Sequence, residues 1–167
     1  MHPWDDRKRR LSRLAKEIEA FCAAHADPKN VARYSRYFKE GYDAYGLDFG
    51  VLGTQNKALL KANDDLGLAD FLDLGDLLFR SPKYEMGSFA ILFAAHFRED
   101  ITARAFQRIG KWFELGVRNW AHSDFFCGEI TGWCLAYGVV GIQALDAWRR
   151  CSRPPGPTAR CSTSSGR

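Results

Sequence analysis

Apolar side chains recur at intervals of three and four residues along almost the whole chain, and this spacing constrains the fold more than any other feature of the sequence. The clearest stripe of this kind consists of Leu11, Leu14, Ala15, Ile18, Phe21 and Cys22. Such a stripe is typical of an amphipathic helix. Residues that favour helix starts precede later stretches at Asp27-Pro28, Ser81-Pro82, Thr102 and Asn119. Because no stretch alternates with period two for long, the sequence predicts an all-α fold.

Two arrangements of these helices fit the pattern. Helices of about 12–18 residues joined by short capped turns are typical of stacked antiparallel helix pairs, that is, of an α-solenoid or superhelix. An irregular helical bundle is the competing arrangement, since no strict repeat recurs at a fixed period. The length of 167 residues fits one domain of either kind.

Two boundaries are predicted from local signals. The helix that opens at Pro28 is expected to run to about Lys39. Four glycines then predict a loop over residues 41–53, followed by a short helix capped by Thr54 or Asn56.

The last residues differ abruptly in composition. Residues 151–167 are rich in Pro, Ser and Arg and contain no Leu, Val, Ile, Phe, Tyr or Trp. Such a segment cannot bury enough apolar surface to order itself. We therefore predict a helical domain over residues 1–150 and a disordered tail over residues 151–167.

Charge and cysteine content limit the function classes. The formal net charge is only +4, but residues 1–40 and 146–167 are basic whereas residues 41–100 are acidic, which permits a nucleic-acid partner without requiring one. The five cysteines show neither Cys-x-x-Cys nor zinc-ligand spacing, so free thiols of a cytoplasmic protein and no metal site are expected. The first residues contain no apolar stretch, and neither a signal peptide nor a membrane span is predicted.

One pair of residues could carry chemistry. Trp120 and Asp124 stand four apart and would share one face of a helix. An aromatic plane beside a carboxylate suits a cationic, ring-bearing ligand. The alternative is that Trp120 packs in the core while Asp124 is solvated. His122 lies off that face and is expected to be a surface or hydrogen-bonded residue rather than a general base.

An aromatic stripe with neighbouring arginines allows two interpretations. Tyr34, Tyr37 and Phe38 recur at helical spacing beside Arg33 and Arg36. The stripe is either packed in the core or forms a basic, aromatic edge that touches a phosphate backbone.

Several segments together resemble a known family. Residues 34–46 (YSRYFKEGYDAYG), 110–114 (GKWFE) and 119–124 (NWAHSD), with further similarity over residues 84–93, are similar to the DNA alkylation repair enzymes built from HEAT-like helical pairs. The resemblance covers roughly residues 11–150, and its segments occur in the same order.

The resemblance implies both a fold and an activity. The fold is an α-solenoid of HEAT-like helix pairs. The activity is that of a DNA glycosylase which excises cationic alkylated purines, such as 3-methyladenine and 7-methylguanine, from duplex DNA without flipping the base into a pocket, unlike most glycosylases. Because a cationic base is already a good leaving group, little acid catalysis is needed. No cofactor is expected. The protein is expected to be a monomer that acts on DNA in the cytoplasm.

The resemblance also implies roles for single residues. Asp124 matches the catalytic carboxylate that stabilises an oxocarbenium-like transition state and positions water at C1′. Trp120 matches the aromatic that lies against the deoxyribose of the lesion, and Tyr37 matches a further DNA-contacting residue. The basic residues expected to meet DNA are Arg33, Arg36, Lys111 and Arg118.

The chain departs from the family after Trp148. Relatives continue there into a Trp-x-Arg-Arg segment, in which one arginine holds DNA near the lesion, whereas this chain has a proline-rich stretch over residues 154–158. An incomplete DNA groove is therefore a hypothesis. A non-catalytic DNA-binding helical-repeat protein and a protein-interaction solenoid remain the alternative functions.

Overall fold

The computed structural model describes residues 3–146 and 148, and these residues form helices and turns with no β-strand. The longer helices are α1 (Pro3–Ala24), α3 (Phe49–Ala62), α4 (Leu68–Leu78) and α5 (Tyr84–His96). The shorter helices are α2 (Pro28–Ser35), α6 (Ala103–Gly110), α7 (Trp112–Leu115), α8 (Trp120–Phe126) and α9 (Gly132–Ala136). Single turns of 3₁₀ helix cover Arg98–Asp100 and Ile142–Leu145, and a π-helical turn covers Cys127–Thr131. The all-α prediction is confirmed, and the predicted tail over residues 151–167 lies outside the described residues.

Side-chain caps fix three of the predicted helix starts. The Asp27 carboxylate accepts a hydrogen bond from Lys29 N at 2.9 Å, and Thr102 Oγ1 accepts one from Ala105 N at 3.2 Å. Asn119 Oδ1 accepts one from His122 N at 2.8 Å. Each bond satisfies a backbone N–H that has no partner within its own helix. The helices that begin after these residues therefore start where the sequence predicts.

Two predicted boundaries are wrong. The helix α2 ends at Ser35 rather than near Lys39, because the chain continues in turns closed by bonds such as Phe38 N to Ser35 O at 3.1 Å. The helix α3 begins at Phe49, because Asp48 caps it through Gly50 N at 2.8 Å. Its early glycines therefore lie inside a helix, where their entropic cost is only about 1 kcal/mol each and a good cap offsets it.

The helix α5 lies at the centre of the core. Its side chains are buried on all sides, as the nearly continuous apolar sequence predicts, and it packs against α1, α3, α4 and α8. Residues 79–83 connect α4 to α5, and a connection this short makes the two helices neighbours in a hairpin. Because α8 packs on this same helix, the elements that carry the candidate site rest on the most buried part of the molecule.

A hydrogen-bonded tryptophan fixes the connection between α6 and α8. The Trp112 ring is fully buried, and its Nε1 donates to Asp76 Oδ1 at 2.7 Å. Arg108 Nη2 donates to the same carboxylate at 2.9 Å. A buried indole N–H needs such a partner, so this contact holds α6 and α7 against α4 in one register. The chain then reaches the start of α8 from a fixed point.

Candidate nucleic-acid interface

Trp120 and Asp124 both lie on the surface, one turn apart on α8. The Trp120 side chain is 52% exposed, and Asp124 is exposed as well. Within residues 3–146 and 148, no side chain forms an ion pair or a hydrogen bond with the Asp124 carboxylate. The alternative in which Trp120 packs in the core is therefore wrong. The surface instead presents an aromatic plane and an unpaired negative charge side by side.

Trp120 is held against the loop that follows α2, which we define as residues 36–48 and call the 36–48 loop. The indole Nε1 donates to the carbonyl oxygen of Tyr37 at 3.1 Å. The indole ring stacks on Phe38 with a centroid distance of 5.7 Å. The two contacts fix the plane of the indole while leaving about half of its surface open to a ligand.

The aromatic stripe of the sequence is a surface edge rather than part of the core. Tyr34 and Tyr37 are exposed by 38% and 53%. Arg36 lies over the Tyr37 ring at 4.8 Å from its centroid and donates from Nη2 to the Tyr37 hydroxyl at 2.8 Å. Arg33 lies over the Tyr34 ring at 5.5 Å. Positive charge on exposed rings is an arrangement suited to a nucleic-acid backbone and its bases.

His122 is buried and hydrogen-bonded. Of the two structural roles expected for it, a surface residue or a hydrogen-bonded one, the structure shows the second. Its ring stacks on Tyr84 with centroids 4.4 Å apart, and its Nε2 lies 2.9 Å from the Tyr84 carbonyl oxygen. A carbonyl only accepts, so Nε2 carries the proton, and Nδ1 faces the Asn119 amide nitrogen at 3.3 Å. Burial lowers the pKa of His122 to about 4, because a charged ring would lose its hydration. The ring is therefore neutral at pH 7, and its contacts dock α8 on α5.

A cleft of about 480 Å³ lies between the 36–48 loop, the turn before α5 and the start of α8. Arg80 and Arg118 line it, together with Asn119 and with Lys83, whose ammonium pairs with Asp43 at 2.6 Å. Both arginines are exposed. Glu40 and Asp43 line the cleft as well, so three basic side chains face two acidic ones and the cleft is only weakly basic.

The structure joins only some of the predicted residues. Direct contacts connect Arg36, Tyr37 and Trp120, and Asp124 shares the exposed face of Trp120. Lys111 is exposed between α6 and α7, and among the described residues no hydrogen bond, ion pair or ring contact links it to the others.

Two rings of the aromatic stack beneath the site, Tyr42 and Tyr84, were given no role from the sequence. Tyr42 stacks on Phe38 at 4.4 Å and packs against Tyr84 at 5.4 Å, so ring contacts run from Trp120 to His122 without a break. The density of aromatic residues between positions 34 and 45 is the signal in the sequence that could have indicated such a stack.

A π-helical turn follows α8 and begins three residues after Asp124. In the Cys127–Thr131 segment, Gly132 N donates to Cys127 O across five residues instead of four. Such turns are frequent at functional sites, since they shift the direction of the side chains that follow. No sequence rule predicts this turn, because Cys-Gly-Glu-Ile-Thr contains no residue that marks it.

The described residues lack the features of two other classes of site. Within the described part of the chain, no three His, Cys, Asp or Glu side chains are grouped so that they could hold a metal ion. No described helix is both long and apolar enough to span a membrane.

The sequence matches a family model described as DNA alkylation repair enzyme over residues 18–153. This match covers most of the chain and includes the 36–48 loop and the whole of α8. The chain belongs to the DNA alkylation repair enzyme family. The observed helices agree with the α-solenoid predicted for that family, and membership implies DNA as the partner. Neither the curated proteins nor the solved structures gave a match.

Proposed function

We propose that this DNA alkylation repair protein is a glycosylase that excises cationic alkylated purines, such as 3-methyladenine and 7-methylguanine, from duplex DNA. The observation that carries the proposal is the exposed, unpaired carboxylate of Asp124 one turn after the exposed ring of Trp120. Family membership supports repair of alkylated DNA in general, and this pair supplies the chemistry for glycosidic cleavage.

The reaction breaks the bond between C1′ and the purine nitrogen, and the electron pair of that bond leaves with the base. Because the alkylated base carries a positive charge, it departs neutral and needs no proton. Positive charge then develops on the sugar, where a nearby carboxylate is stabilising. Asp124 has this role, and it also orients the water that forms the new bond to C1′ and takes up the released proton.

The remaining residues bind the substrate. Trp120 lies against the deoxyribose of the lesion, and Tyr37 is a further DNA-contacting residue, which its hydrogen bond to Trp120 holds beside it. Arg33, Arg36, Lys111 and Arg118 supply positive charge for phosphates, which fixes the position of the duplex without reading its sequence. No metal or cofactor takes part in the proposed reaction. The proposed protein is monomeric and cytoplasmic, with a helical domain over residues 1–150 and a tail beyond it.

The test is release of methylated bases from a duplex treated with a methylating agent. Wild-type protein is expected to release them, and Asp124→Asn is expected to be slower by about 10²-fold or more, the usual cost of removing one transition-state electrostatic contact. The matched control is Asp64→Asn, which makes the same change at an exposed turn before α4. If Asp124→Asn and Asp64→Asn release bases equally fast, Asp124 is not the catalytic residue.

A second candidate, DNA binding without excision, is favoured by the Arg36–Tyr37 edge, which could hold DNA whatever Asp124 does. Binding that falls steeply with salt, together with no release of bases by wild-type protein, would select this function. If neither binding nor release is observed, the protein-interaction solenoid becomes the better interpretation.

A further inference from the structure

We propose that Glu85 is a positioning residue of the site, and that its carboxylate holds the 36–48 loop in the form that presents Tyr37 and Trp120 to DNA. The inference rests on the proposed function only for the identity of the ligand, DNA, to which the loop presents these residues. Its physical basis is a buried charge that binds backbone rather than a basic side chain.

The Glu85 carboxylate is 2% exposed and lies in the first turn of α5. Its Oε1 accepts from Gly46 N at 2.7 Å and from Leu47 N at 3.2 Å, and its Oε2 accepts from Tyr45 N at 2.9 Å. Within residues 3–146 and 148 no salt bridge joins it to a basic side chain, and Lys83, which pairs with Asp43, interacts with it only electrostatically. Three consecutive N–H groups and the positive end of the α5 dipole therefore compensate the charge.

Further bonds hold the same part of the loop on both sides. Tyr45 O accepts from Asp27 N at 2.9 Å, and Gly46 O accepts from the Asn30 side chain at 3.0 Å. Gly46 has φ +83°, and a Cβ there would collide with Asp27 O. The carboxylate thus organises a backbone conformation that only glycine takes easily.

The anchored residues lead directly to the site. Tyr84 N donates to Asp43 O at 2.8 Å, and the residue before Asp43, Tyr42, stacks on Phe38 with centroids 4.4 Å apart. Phe38 stacks on Trp120, whose indole N–H binds the Tyr37 carbonyl. Loss of the anchor is therefore transmitted through the loop to the groups that meet DNA.

The loop anchor is tested by Glu85→Gln, which keeps the size of the side chain but removes its charge and turns one acceptor into a donor. Glu99→Gln, at the exposed 3₁₀ turn beyond the other end of α5, is the matched control. Amide hydrogen exchange in wild-type protein is expected to show the Tyr45, Gly46 and Leu47 amides protected. In Glu85→Gln they are expected to exchange at least ~10-fold faster, since one charge-assisted hydrogen bond is worth about one factor of ten. Fast exchange of these amides in wild-type protein overturns the proposal even if Glu85→Gln does not fold.

The functional consequence is tested by the affinity for an unmodified duplex, which does not depend on excision. Glu85→Gln is expected to weaken binding about 10-fold or more, and Glu99→Gln is expected to leave it unchanged. In a Tyr37→Ala background the effect of Glu85→Gln is expected to be at least ~3-fold smaller, because coupled residues are not additive. Fully additive effects, or equal affinities of the two Glu variants, would reduce Glu85 to a purely structural residue. Failure of base release with this coupling intact would refute the glycosylase and leave the positioning role standing.

Discussion

Protonation of one buried imidazole should make the stability of this protein fall as the pH decreases from 7 to 5. Burial lowers the pKa of His122 from 6.5 to about 4 in the folded protein. Between these two values the unfolded chain binds a proton that the folded protein does not bind, so acid favours unfolding. The contribution is intact above pH 6.5 and is lost progressively as the pH falls toward 4.

The size of the effect follows from the two pKa values. At pH 5 the free energy of unfolding should be lower than at pH 7 by about 2 kcal/mol from this residue alone, and below pH 4 the loss should reach about 3.4 kcal/mol. Part of the structural cost is visible in the contacts, because a charged ring would remain buried against Tyr84. Carboxylates add their own loss mainly below pH 5, so the window between 7 and 5 isolates the imidazole.

Urea unfolding at pH 7, 6 and 5 measures this effect. His122→Phe keeps a ring against Tyr84 but cannot titrate, so its stability should change by about 2 kcal/mol less than that of wild type between pH 7 and 5. The exposed His25, replaced by Gln, is the control and should keep the wild-type dependence. Equal pH dependence of wild-type and His122→Phe protein would refute the reasoning.

Three other outcomes are expected. Gly46→Ala should lower the free energy of unfolding by more than about 2 kcal/mol, because the new Cβ would collide with the backbone of Asp27. Gly41→Ala should lower it by about 1 kcal/mol, because Gly41 has φ +94° but open space around it. Urea titration of both variants measures the difference. Arg118→Gln should reduce the slope of log affinity for duplex DNA against log salt concentration by about 0.9, the value for one lost phosphate contact. Arg98→Gln, at the opposite end of α5, is the control and should leave the slope unchanged. Identical slopes for the two variants would show that Arg118 is not part of the interface. Cys127 is exposed and should react with iodoacetamide in the native protein, whereas the buried Cys22 and Cys134 should not. Partial burial of the thiol raises the pKa of Cys127, so its reaction should be slow. Mass mapping of labelled peptides measures which thiols react.

The fold was predictable at the helix starts where a side-chain cap carries the signal, although Ser81-Pro82 does not mark one, since α5 begins at Tyr84 with no side-chain cap. Asp27, Thr102 and Asn119 cap helices because their oxygens reach backbone N–H groups within three residues, and that chemistry is local. The start of α3 was missed because glycine has two meanings in a sequence. Gly50 and Gly53 indicate a loop by propensity, but the cap at Asp48 and the packing of the helix outweigh that preference.

The candidate site was predictable as a set of residues but not as an arrangement. Spacing alone puts Trp120 and Asp124 on one face of a helix, and the structure shows that this face is exposed. The contact between Trp120 and Tyr37 joins positions that are distant in the chain, so no local pattern reports it. Glu85 was missed for the same reason, since its partners are backbone amides and leave no trace in residue type.

The contact between Trp120 and Tyr37 also determines when the site comes into existence. The two residues are separated by 83 positions. During synthesis at about 5–20 residues per second, Tyr37 is made roughly 4–17 seconds before Trp120 is added, and α8 must still emerge and fold. Early in that interval the 36–48 loop still lacks Glu85, its anchor on α5, and throughout it the contact between Tyr37 and Trp120 cannot form. A nascent chain that still lacks α8 therefore has no complete edge of the kind proposed to hold a duplex.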